Sequence, residues 1–160
     1  MSDKDDIVSK YKLLPLSGEG GYFRRIYESD QLDGHGRRFA ASILYFLEAP
    51  DFSSFHRIDC DELWHFYSGD TLALYEITPQ GELITTLIGN PAVDLQATPF
   101  ALVKKGNWFA SEVHEAAGYS LVGCTTVPEF KYETFEIANR QELTNTYPQH
   151  RDIIQRLTRA

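Results

Sequence analysis

Cysteine is scarce in this sequence. Cys60 and Cys124 are the only two, they lie far apart, and neither belongs to a CxxC pair. That spacing excludes a disulfide framework and a zinc ribbon, and both side chains read as free thiols packed as small apolar groups. Long hydrophobic runs are missing too, since nothing approaches the roughly 20 apolar residues that span a bilayer. The opening MSDKDDIVSK is acidic and polar, unlike a secretory leader. The expectation is a cytoplasmic protein with no membrane partner. Basic charge is also short, with 15 Lys and Arg against 23 Asp and Glu, a net charge of −8. Nucleic acid needs clustered cations, so no nucleic-acid partner is expected, and anionic lipid is disfavoured for the same reason. The pairs Arg24-Arg25, Arg37-Arg38 and Lys104-Lys105 suffice at most for one small anion.

Familiar catalytic signatures are absent: there is no GxSxG elbow, no P-loop, no dinucleotide fingerprint and no HExxH. Gly18-Glu19-Gly20-Gly21 looks superficially like a phosphate loop, but no strand pattern precedes it and no helix pattern follows.

What is present is a foldable composition, 42% apolar and 13% aromatic in 160 residues. This suits one domain over residues 1–160 with a single substantial core. Residues 3–14 place Ile7, Val8 and Tyr11 at helical spacing before Pro15. Tyr22 to Tyr27 reads as an aromatic strand, Asp33-Gly34-His35-Gly36 as a surface loop, and Phe39 to Leu47 as a strand buried on both faces. Thr71 to Thr78 and Glu82 to Ile88 form a hairpin around Pro79-Gln80-Gly81. Short strands follow at 100–104, 108–113 and 119–126, then helices at 135–145 and 148–159. Many short strands closed by a helical tail predict a mainly β sandwich or barrel.

The chemistry concentrates in FHRIDCDELWHFYSGD, Phe55 to Asp70. Strand alternation puts Glu62, Trp64 and Phe66 on one face and Leu63, His65 and Tyr67 on the other. Glu62 and Trp64 are assigned to the interior beside His56. A buried carboxylate next to an imidazole orients the ring and raises its basicity, giving an acid–base pair. The same two residues could equally satisfy one another in a structural core. His65 suits a ligand contact or a hydrogen-bonded core position, and Arg24 or Arg25 an anion anchor or a surface ion pair.

The spacing also resembles the cupin superfamily, whose first motif runs Gly, His-x-His, three or four residues, Glu, six residues, Gly. His56, Ile58 in the second histidine's place, Glu62 and Gly69 fit it. The second motif, Pro-x-Gly-x-x-His, falls on Lys104 to Phe109 and keeps only Gly106. More narrowly the chain is similar to the cupin_5 (DUF985) group from about Tyr11 onward. The shared stretches are EGGYFRRIYES (Glu19 to Ser29), FHRIDCDELWHFYSGD, GNWFAS (Gly106 to Ser111), GYSLVGCTTVPEF (Gly118 to Phe130) and FEIANRQEL (Phe135 to Leu143). It departs at Ser17-Gly18, Lys104 and Phe109, where the group has His-Pro, a proline and a glutamine.

The resemblance implies a double-stranded β-helix (jelly-roll) barrel with short N- and C-terminal helices, and a homodimer similar to the sugar-nucleotide epimerase branch. Its implied ligand is a small polar metabolite such as a sugar or sugar nucleotide. Metal binding is the usual cupin property, but Ile58 and Phe109 cannot ligate, so neither metal nor cofactor is expected. Turnover would then be metal-independent isomerisation or epimerisation. In that scheme His56 is the base, Glu62 orients it, and Tyr67 is a phenolic acid. Tyr22, Trp64, His65, Trp108 and Ser111 contact ligand, and Arg24 or Arg25 holds an anionic group. A non-catalytic binding or sensing module and a metal-dependent cupin enzyme are the alternatives.

Overall fold

The computed structural model describes residues 3–160. Helix α1 (Asp3–Tyr11) turns Ile7, Val8 and Tyr11 onto a buried patch of Leu13, Phe46 and Leu121. Eleven strands follow. They are β1 (Leu14–Pro15), β2 (Tyr22–Glu28), β3 (Ala41–Glu48), β4 (Phe52–Arg57), β5 (Asp61–Gly69), β6 (Leu72–Ile77), β7 (Leu83–Ile88), β8 (Phe100–Val103), β9 (Trp108–Val113), β10 (Tyr119–Val127) and β11 (Glu136–Ile137). Helices α2 (Arg140–Thr146) and α3 (Arg151–Arg156) end the described chain.

The strands form two antiparallel sheets, in the orders β1-β2-β3-β10-β5-β8 and β11-β4-β9-β6-β7. Together they make the expected mainly β jelly roll. Facing side chains interdigitate as a hydrocarbon core that includes Leu47, Leu72, Leu74, Ile88 and Val122, all fully buried. Each such side chain contributes about 1.5–3 kcal/mol of burial free energy. A second cluster, with Phe55, Ile77, Ala110, Leu143, Ile154 and Leu157, joins the outer face of the five-stranded sheet to α2 and α3.

The stretch Phe55 to Asp70 serves both sheets. It contributes the end of β4 to one sheet and all of β5 to the other, turning over between them. Residues six apart in sequence therefore approach each other across the barrel interior.

The tail differs from expectation. Glu136 and Ile137 are extended and pair with Arg57 and His56 of β4, because that sheet edge offers unpaired backbone groups. The helix waits until Arg140, where the Asn139 side chain accepts from Glu142 N at 3.0 Å and caps its first turn. The segment from Pro148 opens as a 3-10 turn and becomes α-helical at Arg151. No helix among the described residues is long and apolar enough to cross a membrane.

Candidate functional site

A cavity of about 90 Å³ opens at one end of the barrel. Its floor is polar: Glu19, His56, Glu62, Cys124 and Thr126. Its walls are apolar: Leu16, Phe23 and Ile43 on one side, and Phe130, Tyr132 and Phe135 on the other.

His56 reaches this floor through an irregularity in β4. Ser53 pairs with Ser111 and His56 with Phe109, so three residue steps on β4 face two on β9. That bulge keeps both Ser53 and His56 on the interior side. The imidazole is 4% exposed, and its ring lies 4.0 Å from that of Phe109. Its Nδ1 is 2.7 Å from the Ser54 carbonyl oxygen, which can only accept, so Nδ1 carries a hydrogen. Nε2 lies 2.8 Å from Glu19 Oε1, a contact that needs a second proton between the two atoms. The two side chains thus share one proton in a buried hydrogen bond. Burial alone lowers the His56 pKa. The Glu19 charge, its hydrogen bond, the Ser54 carbonyl and Glu62 more than offset this, so the pKa stands above its ordinary value.

Glu19 is delivered by a loop that closes only with glycines. Gly20 (φ +113°) and Gly21 (φ +75°) hold conformations that L side chains rarely adopt, and there is no room for a side chain at either. A Cβ on Gly21 would sit 2.6 Å from Tyr45 Oη, and one on Gly20 would overlap the Phe52 carbonyl oxygen. The loop is tied down on all sides. Ser54 N donates to Glu19 O (2.8 Å), Gly21 N to Asp51 Oδ2 (2.8 Å), Tyr45 Oη to Gly20 O (2.8 Å), and Ser53 Oγ to Glu19 Oε1 (3.2 Å). Arg159 completes the clamp. Its Nη1 donates to Glu19 O and Ser54 Oγ, each at 2.6 Å, and its Nη2 to Asp51 Oδ1 at 2.6 Å.

Glu62 comes from the opposite sheet, where β5 alternates cleanly: Glu62 and Trp64 are buried, while Leu63, His65 and Tyr67 are exposed. Glu62 is 8% exposed and within hydrogen-bonding reach of the Cys124 thiol, and among the described residues it forms no ion pair with a lysine or arginine. Burial raises its pKa to about 7, with His56 opposing the shift and Glu19 adding to it. Burial and the nearby Glu62 push the Cys124 thiol well above its usual range, so this cysteine is a thiol and no nucleophile.

The structure brings three of the sequence-assigned residues to the cavity, His56, Glu62 and Arg25, with Trp64 packed beneath. The direct partner of His56 is Glu19, not Glu62 as the sequence reading had it. Arg25 stands at the rim with its guanidinium on Glu28, Glu129 and the Phe130 carbonyl. Arg24 points to the other face of β2, where it donates to Tyr11 O, and Tyr22 packs against Phe46 there. Neither lines the cavity, because adjacent strand residues face opposite ways. The same rule turns His65 and Tyr67 outward, so Tyr67 is no phenolic acid for this site. Trp108 faces the helical layer under the Arg57 guanidinium, and Ser111 is buried in the interior away from the cavity lining. Trp64 stacks edge-on against Tyr45 and Phe109, a core role.

Sequence reasoning passed over Glu19, Cys124, Phe130 and Phe135 as site residues. All four lie within the family-like stretches, and Glu19 directly precedes the two glycines that position it.

A family model described as "Cupin superfamily (DUF985)" matches residues 5–138. The chain belongs to the cupin_5 family. Among solved structures, a Shewanella oneidensis protein is 36% identical over 99% of both chains, with a TM-score of 0.92. A hypothetical protein from Leishmania major is 26% identical over 99% of this chain and 100% of its own, with a TM-score of 0.89. Bacillus subtilis oxalate decarboxylase shares the fold alone, at 11% identity and a TM-score of 0.57 over 36% of its length. No curated protein matches the chain.

Many cupins hold a metal where this cupin_5 chain has His56 and Glu62. His56 Nε2 is taken by Glu19 and Nδ1 by the Ser54 carbonyl, and Ile58 and Phe109 present hydrocarbon. No group of three or more His, Cys, Asp or Glu among the described residues could hold a metal ion. The donor set does not fit a metal centre.

Proposed function

We propose that this cupin_5 protein binds a small polar metabolite in the barrel-mouth cavity and that Glu62 exchanges a proton with it. One observation carries this reading. Glu62 is a carboxyl buried against the cavity, free of any lysine or arginine, with a pKa of about 7. Such a group passes between acid and base near neutrality, which is what general acid–base catalysis requires. His56 is a positioning residue: both its nitrogens are engaged, and its charge sets the field at Glu62. Phe23, Phe130 and Phe135 exclude water from the ligand's reacting end.

At about 90 Å³ the cavity falls short of the roughly 300–1,000 Å³ of a pocket for a drug-sized ligand, so it takes in a few heavy atoms and not a whole nucleotide. A larger ligand inserts one end. The reaction class this supports is isomerisation. Glu62 carboxylate takes the proton from the hydroxyl-bearing carbon next to the carbonyl, leaving an enediolate; the hydroxyl proton passes to the former carbonyl oxygen, and the Glu62 acid returns its proton to the former carbonyl carbon.

The test incubates the protein with small 2-hydroxy carbonyl compounds in D2O and follows carbon-bound proton loss by NMR. Exchange in the wild type that vanishes in Glu62→Gln supports the reading. Exchange that survives the substitution removes Glu62 from the mechanism, and a compound that raises the melting temperature without exchanging shows recognition alone.

A further inference from the structure

The ligand's charge can be read from the same cavity, on the premise stated above that it is a binding site. Its lining carries two carboxyl groups, Glu19 and Glu62, and two cationic side chains, both committed. His56 is spent on Glu19 and the Ser54 carbonyl. Arg25 is held at the rim by Glu28 at 3.2 Å, by Glu129 at 3.6 Å and by the Phe130 carbonyl. An anion entering here meets surplus negative charge and no free cation. A buried carboxyl without a cationic partner is costly in its ionised form, and a ligand cation would remove that cost.

The walls point the same way. Phe130, Tyr132 and Phe135 pack edge to face, with ring centroids 5.0, 5.7 and 6.4 Å apart, and Phe23 stands among the other lining residues. Aromatic rings attract a desolvated cation through their quadrupoles, whereas a phosphate or carboxylate gains nothing from them. Aromatic rings lining one cavity with a carboxyl supply the groups that recognise alkylated ammonium ions.

We propose that the cavity binds a small organic ammonium, its charged nitrogen seated on the Glu62 carboxyl and its carbons against Phe23, Phe130 and Phe135; toward this ligand Glu62 is the counter-ion, and the proton it exchanges is its own, given up on binding, not one taken from carbon. The volume of about 90 Å³ admits the ammonium and a short alkyl portion. The titratable groups around Glu62 are His56 on β4, Glu19 on the preceding loop, Cys124 on β10, Cys60 ahead of β5, Tyr132 in the wall, and Arg25 at the rim. Binding ionises Glu62, so below neutrality each ammonium taken up releases about one proton.

The test titrates the full chain with ethylammonium, ethanol and acetate, three probes of similar size, and with glycolaldehyde as a neutral carbonyl probe. Calorimetry and NMR shifts of Phe130, Phe135 and Cys124 report binding. The expected result is ethylammonium binding at least tenfold tighter than ethanol or acetate. Its affinity should rise about tenfold from pH 6 to pH 8, as a Glu62 pKa of about 7 requires. At pH 6, calorimetry in buffers of different ionisation enthalpy should show release of about one proton, a readout that needs no variant. Glu62→Gln should weaken ethylammonium at least tenfold and leave ethanol unchanged. If ethanol or glycolaldehyde fills the cavity and ethylammonium does not, or if ethylammonium binds without pH dependence or proton release, the ligand class is wrong and the cavity reading stands. If no probe moves the cavity resonances, both fall.

Discussion

The two ends of the barrel interior are built from the same strands and have opposite characters. On β10, Val122 belongs to the closed end and Cys124 and Thr126 to the open one; on β3 the matching pair is Leu47 and Ile43. At the closed end Leu47, Leu72, Leu74, Ile88 and Val122 leave no accessible surface. At the open end a loop reaches in, sets one carboxylate on an imidazole, and leaves a second carboxyl facing a void. One end supplies cohesion, and the other spends part of it on a desolvated cluster of ionisable groups.

That contrast can be broken at either end. Leu74→Ala should cost about 2–5 kcal/mol of stability, seen in denaturant unfolding, and leave the Glu62 titration where it is. Gly21→Ala should cost about 3 kcal/mol or more, since its Cβ meets Tyr45 Oη and the Phe46 carbonyl at a φ of +75°. In addition it should shift the Glu62 titration, followed by carboxyl NMR, because Glu19 moves. Equal effects of both variants on that titration would erase the distinction between the ends.

The pH dependence is next in size. The folded pKa of Glu62, about 7, lies above its unfolded value of 4.5. Its stabilising contribution is therefore fully present below about pH 4.5 and is lost as pH rises through about 7, a change of about 3 kcal/mol. His56, also raised, acts in the same direction from its ordinary value of 6.5 upward. Stability should accordingly fall between pH 4.5 and pH 8, and Glu62→Gln should flatten most of that slope in thermal melts. Arg159→Ala should cost roughly 1–2 kcal/mol through lost charged hydrogen bonds. It should also broaden the His56 ring resonances, an effect Arg159→Lys restores only in part. The smallest effect belongs to Tyr67→Phe. This outward side chain is 52% exposed, and its loss of a hydroxyl should change stability by no more than about 0.5 kcal/mol and ligand binding not at all.

Much of this was legible where a short-range rule applied. The two-residue period of β5 separates Glu62 and Trp64 from His65 and Tyr67, and one decision about which side faces inward settles four residues at once. The same period separates Arg24 from Arg25, and Tyr22 from Phe23, but a lone strand does not say which side the barrel closes on. The partnership of His56 with Glu19 depends on a bulge in β4 and a loop folding back 37 positions earlier in the chain, and neither leaves a periodic trace. Arg159 is further still from the residues it holds. Glu136 and Ile137 carry a helical pattern but lie extended, because a free edge of β4 outweighs local preference.

The clamp by Arg159 also dictates when the site comes into being. A growing chain that has reached residue 158 already contains every strand of both sheets, yet lacks the guanidinium that spans the Glu19 carbonyl, Ser54 and Asp51. Both sheets are thus complete in sequence before the side chain that pins the Glu19 loop is added.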